Sequence, residues 1–196
     1  MRRVLGLTGG LASGKSTVGR WLTEAGFTVV DADRVVAELY APGGAGAAAV
    51  RELFGDAVLH AEGGVDHPRL AAVVFSDDGA RERIEGAIHP LVRERFGEIA
   101  GRTEGIVVLD ATLLVEAGYA PDLDYVVSIE SSPEEQLRRA VARGMDEAAA
   151  RARLKAQGDG ELRRQAAQRI LRNDGTLAEL RRQVDALVDE LRPPRT

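Results

Sequence analysis

The sequence predicts an α/β fold in three layers, with a parallel sheet between two layers of helices. Four short apolar runs have the length and composition of buried strands, at residues 4–8, 27–30, 106–110 and 124–129. Helical patterns separate these runs. The first two runs are joined by one helix within about 30 residues, which makes a βαβ unit with parallel strands. Buried strands that alternate with helices indicate a parallel sheet covered on both faces.

Length and composition describe one globular domain. The chain has 196 residues, 44% hydrophobic and 29% charged, which is enough to bury a substantial core. Its formal charge of −5 argues against a nucleic-acid partner held by a basic surface. The absence of cysteine excludes disulfides, thiolate catalysis and zinc sites with sulfur ligands. The apolar runs are too short for a membrane helix or a signal peptide, so we expect a cytoplasmic protein with no membrane partner.

The central region, residues 34–100, is predicted to be mostly helical. Its helical pattern is interrupted at residues 42–44, at residues 62–64 and at Pro90. Because proline lacks an N–H and restricts the residue before it, we expect a helix to end before Pro90.

The C-terminal region is predicted to contain arginine-rich helices over residues 134–172, interrupted at Gly144 and at residues 158–160. Ser132 and Pro133 have the form of a helix start. A final helix carries an apolar stripe made of Leu177, Leu180, Val184, Leu187, Val188 and Leu191.

Polar residues follow three of the predicted strands. Residues 9–16 follow the first, Asp31 and Asp33 close the second, and Asp110 closes the third. Ligands of parallel α/β folds bind at the carboxyl ends of the strands. We therefore expect these residues to converge on one crevice, although they lie far apart in the sequence.

The loop after the first strand matches the pattern G-x-x-x-x-G-K-[ST]. It consists of Gly9, Gly10, Leu11, Ala12, Ser13, Gly14, Lys15 and Ser16, and is followed by Thr17. Its glycines let backbone N–H groups turn inward around phosphate oxygens, and the following helix offers its positive N-terminus to the same anion. Lys15 would reach the β- and γ-phosphates, and the Ser16 hydroxyl would coordinate Mg²⁺.

Acidic residues supply the other chemistry that such a site needs. Asp110 ends an apolar strand and has the form of a Walker B acid, which holds Mg²⁺ directly or through water. Asp33 lies where a carboxylate could accept the proton of an attacking hydroxyl. It could equally cap the helix that begins near Arg34, and the spacing does not separate these two roles.

Nine arginines lie between Arg138 and Arg172. Guanidinium groups stabilise charge on a transferring phosphoryl group, so a few of the nine are expected to act in the reaction and the rest to be solvated. Arg139, Arg143 and Arg153 are the leading candidates. Of the three histidines, only His89, which precedes Pro90, has a distinctive context.

These residues together resemble the dephospho-coenzyme A kinase family over nearly the whole chain. Residues 6–17 look like the family's N-terminal loop, and residues 30–33 like its second-strand motif. Further elements in family order are residues 41–43, Arg69 and Leu70 with Phe75, residues 88–91, residues 113–116, Gln136 and Leu137 with Arg139 and Arg143, Arg153 with Gln157, and residues 173–175.

The resemblance implies a single kinase domain, residues 1–196, with a three-layer P-loop NTPase fold. Its core would span about 1–40, 101–131 and 166–192. A helical substrate-binding region would span about 40–100 and a helical lid about 132–165. It implies ATP and Mg²⁺ as cofactors and transfer of the γ-phosphoryl group to the ribose 3′-hydroxyl of dephospho-coenzyme A. That transfer is the last step of coenzyme A synthesis, and no obligatory protein partner is implied.

The resemblance also implies roles for individual residues. Asp33 would be the base, Lys15 the phosphate clamp, and Arg139 and Arg143 catalytic lid charges. ATP would be bound by residues 10–17 with Arg143 and Asn173. The acceptor would be bound by Thr8, Asp33, His89, Leu114, Glu116 and Arg139. Mg²⁺ would be held by Ser16 and Asp110.

Three positions depart from the family pattern. Ala12 stands where glycine is usual, and we expect its φ to be negative because alanine disfavours positive values. Thr112 replaces a proline, and Gln168 replaces an aspartate close to the segment assigned to the adenine.

Two other functions compete with this interpretation. A small P-loop kinase for another nucleoside, nucleotide or shikimate-like alcohol would share the base and the phosphate loop, but the His89–Pro90 pair and residues 113–116 favour the dephospho-coenzyme A kinase family. A GTP-dependent switch would need an N-K-x-D element, and the only asparagine, Asn173, is followed by aspartate.

Overall fold

The computed structural model describes residues 3–77 and 79–192. The strands are β1 (Arg3–Gly9), β2 (Thr28–Asp31), β3 (Ile106–Asp110), β4 (Tyr125–Glu130) and β5 (Arg169–Arg172). The helices are α1 (Lys15–Glu24), α2 (Ala32–Leu39), α3 (Ala45–Phe54), α4 (His67–Ser76), α5 (Ala80–Arg102), α6 (Pro133–Ala142), α7 (Glu147–Ala156), α8 (Glu161–Ala166) and α9 (Leu177–Leu191). The described residues of Met1–Val29 and Thr103–Thr196 form one compact unit, and those of Val30–Arg102 form another.

The five strands form one parallel sheet in the order β2-β3-β1-β4-β5, which confirms the predicted α/β class. β1 is the central strand and pairs with β3 on one side and β4 on the other. Leu7 lies opposite Asp110, and Gly9 lies opposite Ile129. The loop that leaves β1 therefore starts at the same sheet edge as the last residue of β3.

The two faces of β1 are covered differently. Leu5 and Leu7 are fully buried in a core formed with α1 and α9. The alternate residue Gly6 faces Leu114 and Leu123, whose methyl carbons would lie within 2.8 Å of an added Cβ. Because successive residues of a strand point to opposite faces, glycine here allows the segment after β3 to pack closely on the sheet.

Helix α9 supplies much of this core through Leu180, Val184 and Leu187, all of which are buried. The predicted stripe is wrong at its first residue, since Leu177 is 65% exposed. A capping box between Thr176 and Glu179 starts the helix at Leu177. Leu177 therefore lies in the first turn, ahead of the buried contacts that begin at Leu180.

The prediction of helix as far as residue 172 is wrong for β5. This strand pairs with β4 at the edge of the sheet, where Leu171 is fully buried and Arg172 is exposed. An edge strand tolerates arginine because one side of it faces water. Gln168 precedes β5, donates its backbone N–H to the Val126 carbonyl and accepts the Val126 N–H on Oε1 at 2.6 Å. The residue that departs from the family pattern thus joins β4 to the start of β5.

The second unit is helical, and the predicted interruptions at residues 42–44 and 62–64 are confirmed between its helices. The predicted helix end at Pro90 is wrong, because α5 continues through this residue. A proline inside a helix removes one hydrogen bond to the carbonyl four residues earlier. Buried contacts of Ile88, Val92 and Phe96 on both sides of Pro90 offset that loss. Among the described residues, no helix has both the length and the apolar character needed to cross a membrane.

Candidate active site

The phosphate-loop motif lies between the carboxyl end of β1 and the first turn of α1, as predicted. Helix α1 has no side-chain cap and no acidic residue in its first turn. Its N-terminal N–H groups and its positive dipole end are therefore left for an anion. Gly14 has a φ of +108°, and a Cβ there would collide with Nδ2 of Asn173. Position 14 thus needs a positive φ and leaves no space for a Cβ, and only glycine satisfies both conditions.

Ala12 has a φ of +53°, so the expected negative value is wrong. Among the described residues it is the only non-glycine with positive φ. The loop turns back between Gly10 and Ser13, whose N–H donates to the Gly10 carbonyl at 3.1 Å. This turn imposes the left-handed conformation on Ala12 at a cost of about 1 kcal/mol.

Lys15 and Asp110 meet, as the strand-end argument predicts. Lys15 Nζ lies 2.5 Å from Asp110 Oδ1, and the two side chains are only 16% and 10% exposed. The pair joins the motif lysine to the acid at the end of β3. Both groups therefore lie where the first turn of α1 meets the carboxyl end of β3.

Asp31 and Asp33 have different local roles. Asp31 is the N-cap of α2, where its Oδ1 accepts the N–H of Asp33 at 2.9 Å and that of Arg34 at 3.4 Å. Asp33 lies in the first turn, is exposed, and its carboxylate makes no hydrogen bond or ion pair within the described part of the chain. The cap is therefore Asp31 rather than Asp33, whose role as a base stays a prediction. Its approach to the phosphate loop stays a prediction.

Arg139 is anchored within the first unit. Its Nη2 donates to the Asn173 carbonyl at 2.7 Å, and its Nη1 donates to Ser131 Oγ at 3.2 Å. Its Nε lies 3.0 Å from Glu135, whose pKa is lowered to about 2 by the Arg138 hydrogen bond and by both neighbouring guanidinium charges. Arg139 thus stabilises the polypeptide around the loop, and its role toward a ligand stays a prediction.

Asn173 supports the phosphate loop directly. It is buried, and its Nδ2 donates to the Ser13 carbonyl at 2.7 Å. Its own backbone N–H donates to Glu130 at the end of β4. The asparagine therefore ties the loop to the carboxyl ends of β4 and β5, and its predicted contact with ATP is untested.

Arg143 and Arg153 differ from Arg139. Both are exposed, and within residues 3–77 and 79–192 neither guanidinium group makes a hydrogen bond or ion pair. Arg143 follows α6, whereas Arg153 lies on α7. These two side chains can reorient toward an anion without breaking an existing contact.

The residues assigned to the acceptor lie in different surroundings. Thr8 is fully buried and its Oγ1 donates to the Thr112 carbonyl at 2.9 Å. Leu114 is also fully buried, against Gly6. The partly exposed Glu116 accepts from the buried Arg163 at 2.7 Å. None of these contacts tests acceptor binding, which stays a prediction.

His89 belongs to the second unit and lies on α5. Burial lowers the pKa of its imidazole; Glu85 raises it and Arg93 lowers it. Folding therefore shifts the protonation equilibrium of this imidazole toward the neutral form.

Two functional candidates received no role from sequence reasoning. Gln157 Oε1 accepts the Leu11 N–H of the phosphate loop at 2.7 Å. Arg163 is 3% exposed and pairs with Glu116. Gln157 stood in the family pattern beside Arg153, but Arg163 was one of nine similar arginines and carried no distinguishing signal.

The donor set near the loop suits Mg²⁺. Ser16 is exposed at the start of α1, and the Asp110 carboxylate lies beside the neighbouring Lys15. Oxygen ligands of this kind are what Mg²⁺ prefers, with water and substrate phosphates completing its shell. The described residues contain no group of three or more histidine or acidic side chains that could enclose a metal alone.

Comparison with known proteins identifies the family of the chain. A family model for dephospho-CoA kinase matches residues 3–179. The chain is 45% identical to a dephospho-CoA kinase of Streptomyces avermitilis over 92% of this chain and 89% of the relative. It is 34% identical to a Thermus thermophilus protein of known crystal structure, with a TM-score of 0.84 over 98% of this chain and 99% of that one.

A dephospho-CoA kinase from Campylobacter jejuni shares the fold, with a TM-score of 0.73 and 24% identity over 97% of each chain. The family match covers most of the chain and includes the phosphate loop, both acidic strand ends and residues 173–175. The chain therefore belongs to the dephospho-CoA kinase family.

Proposed function

We propose that the protein transfers the γ-phosphoryl group of ATP to the ribose 3′-hydroxyl of dephospho-coenzyme A, giving coenzyme A and ADP. The observation that carries the proposal is the loop at the start of α1. Its helix end is uncapped, its motif lysine is in place, and it lies beside the Asp110 carboxylate. Membership of the dephospho-CoA kinase family identifies dephospho-coenzyme A as the acceptor.

The ATP phosphates would bind over the loop, with Gly10, Ser13 and Gly14 in the turn that surrounds them. Lys15 would exchange its contact with Asp110 for oxygens of the β- and γ-phosphates. The N-terminus of α1 would stabilise the same negative charge. Binding therefore replaces a protein ion pair with a protein–ligand ion pair, which limits the cost of desolvating the ammonium group.

The acceptor hydroxyl would lose its proton to the Asp33 carboxylate as its oxygen attacks the γ-phosphorus. The bond from the γ-phosphorus to the β–γ bridging oxygen breaks, and ADP leaves. Asp33 suits this task because Asp31 already supplies the cap of α2. The helical region of about 40–100, with His89, would shape the acceptor side.

Ser16 and Asp110 would hold Mg²⁺, whose charge would offset that of the phosphate oxygens. Arg143 and Arg153 would supply further positive charge from the segment 132–165, which we assign as the lid. Asn173 would keep the Ser13 carbonyl turned away from the phosphates through its hydrogen bond. We propose a cytoplasmic enzyme that acts on these two substrates without a protein partner.

The test is ADP release with ATP, Mg²⁺ and dephospho-coenzyme A, followed by mass and position analysis of the product. We expect one phosphate added at the ribose 3′ position. ATP binding without acceptor-dependent turnover would contradict the assigned acceptor and direct the search to other alcohols.

A further inference from the structure

Gln157 places a side-chain oxygen against the phosphate loop. It is the C-cap of α7, and its backbone N–H donates to carbonyls of that helix. Its Oε1 accepts the Leu11 N–H at 2.7 Å. Gln157 and Leu11 are 146 positions apart, so this contact depends on the tertiary structure. It brings the end of α7 to a loop that is built for an anion.

The direction of this hydrogen bond determines which end of the carboxamide faces Leu11. A backbone N–H can only donate, so the group it meets is the amide oxygen. The amide nitrogen of Gln157 then carries two N–H donors, and it makes no hydrogen bond within the described part of the chain. Both donors are therefore on the nitrogen of the same planar carboxamide whose oxygen accepts the hydrogen bond from the loop.

We propose that Gln157 is a further phosphate-binding residue, with its oxygen held by Leu11 and its two N–H donors directed to the ATP phosphate chain. This inference rests on the proposed use of ATP. A carboxamide accepts and donates at once, whereas lysine or arginine could not accept the Leu11 N–H and glutamate could not donate. The chemistry of the position therefore selects glutamine.

Two buried side chains lie close to Gln157 or to the loop that it contacts. Arg163 Nη1 lies 3.5 Å from the Gln157 carbonyl and donates to Glu116 at 2.7 Å. Arg163 is almost fully buried, so its ion pair with Glu116 resists rearrangement. The second buried side chain is that of Gln136, whose Nε2 would lie 2.8 Å from a Cβ at Gly10. The glycine lets the buried Gln136 side chain approach the loop next to Leu11.

Two substitutions at Gln157 test its phosphate-binding role. Gln157→Glu keeps an acceptor for Leu11 but replaces the two donors with negative charge. Gln157→Met keeps the length and removes both functions. Gln165→Met is the matched control, because Gln165 is exposed on α8 and donates only to the neighbouring Glu161 side chain. Each purified full-length variant is compared for ATP affinity by calorimetry with Mg²⁺ and for melting temperature.

We expect Gln157→Met to weaken ATP binding about tenfold, and Gln157→Glu to weaken it about tenfold to a hundredfold, as for a lost hydrogen bond to a charged group. We expect Gln157→Glu to bind ATP more weakly than Gln157→Met does. Its melting temperature should nevertheless be closer to that of the parent protein, because it keeps an acceptor for the Leu11 N–H. The control should bind ATP like the parent.

Parent-like ATP affinity in Gln157→Glu would overturn the proposal, because a purely structural role needs only the acceptor oxygen. Should Gln157→Glu fail to fold, parent-like affinity in Gln157→Met would overturn it equally. These affinities do not involve the acceptor. Failure of the parent to phosphorylate dephospho-coenzyme A would therefore count against the proposed function alone.

Discussion

The Asp31 carboxylate accepts the backbone N–H of Asp33 at 2.9 Å, so Asp31 rather than Asp33 caps helix α2. Two acids that lie two positions apart thus have separable tasks. Asp31 stabilises the start of the helix, whereas Asp33 is exposed in its first turn and takes no part in the cap. We therefore expect substitution of Asp33 to lower the catalytic rate, and substitution of Asp31 to lower the stability of the fold.

Asp33→Asn should lower kcat by about a hundredfold or more, since a positioned base contributes roughly 10²–10⁴-fold. ATP affinity should be unchanged because the base acts on the acceptor. Steady-state kinetics and ATP calorimetry on the same preparation check both statements. An equal loss of ATP affinity would place Asp33 in the nucleotide or metal site instead.

Asp31→Ala should reduce the free energy of unfolding by about 1 kcal/mol through loss of the N-cap. Asp31→Asn should retain most of that stability, because an amide oxygen also accepts the N–H of Asp33. Urea denaturation of the two variants makes the comparison. Equal stability of Asp31→Ala and the parent would show that the cap contributes little to α2.

Lys15→Ala should weaken ATP binding by at least about tenfold, as expected when a charged hydrogen-bond donor to phosphate is removed. Lys155→Ala is the matched control, since it removes the only other lysine, an exposed one on α7. The readout is ATP affinity together with turnover. Parent-like turnover in Lys15→Ala would remove the central argument for the site.

Ala12→Gly should raise the free energy of unfolding by up to about 1 kcal/mol, because glycine adopts the positive φ of this position without strain. Ala152→Gly, at an exposed interior position of α7, should instead lower it by about 1 kcal/mol. Denaturant unfolding shows whether each substitution raises or lowers the free energy of unfolding. A destabilised Ala12→Gly variant would mean that unfolded-state entropy outweighs the relief of strain.

His89 should make stability depend on pH below about 6.5, its ordinary pKa. Burial lowers the pKa of His89 in the folded protein, so over the interval below 6.5 the unfolded chain binds the proton more readily. Stability from this group is therefore present above pH 6.5 and is lost as the pH falls below it. Thermal melts from pH 7.5 to 5 should show a smaller decline for His89→Gln than for the parent.

Local patterns predicted the parts of the fold that depend on local chemistry. The βαβ unit, the loop before Lys15 and the cap at Ser132 follow from glycine, apolar and capping positions that act within one or two turns of chain. Pattern reasoning failed at β5 and at Pro90, because sheet pairing and buried contacts outweighed local preference there. Both failures are cases in which tertiary contacts decide the backbone.

By itself, the sequence determined the parallel α/β class, the phosphate loop and the likeness to dephospho-coenzyme A kinases. The strand-end argument also predicted that Lys15 and Asp110 converge. Only the tertiary structure decided that the two side chains form a direct ion pair, that Asn173 donates to the Ser13 carbonyl, and that Gln157 reaches Leu11. The difference has a physical reason. A helix start or a phosphate loop uses hydrogen-bonding groups close together in the chain, whereas each of these contacts joins residues that only the packed sheet and its helices bring together.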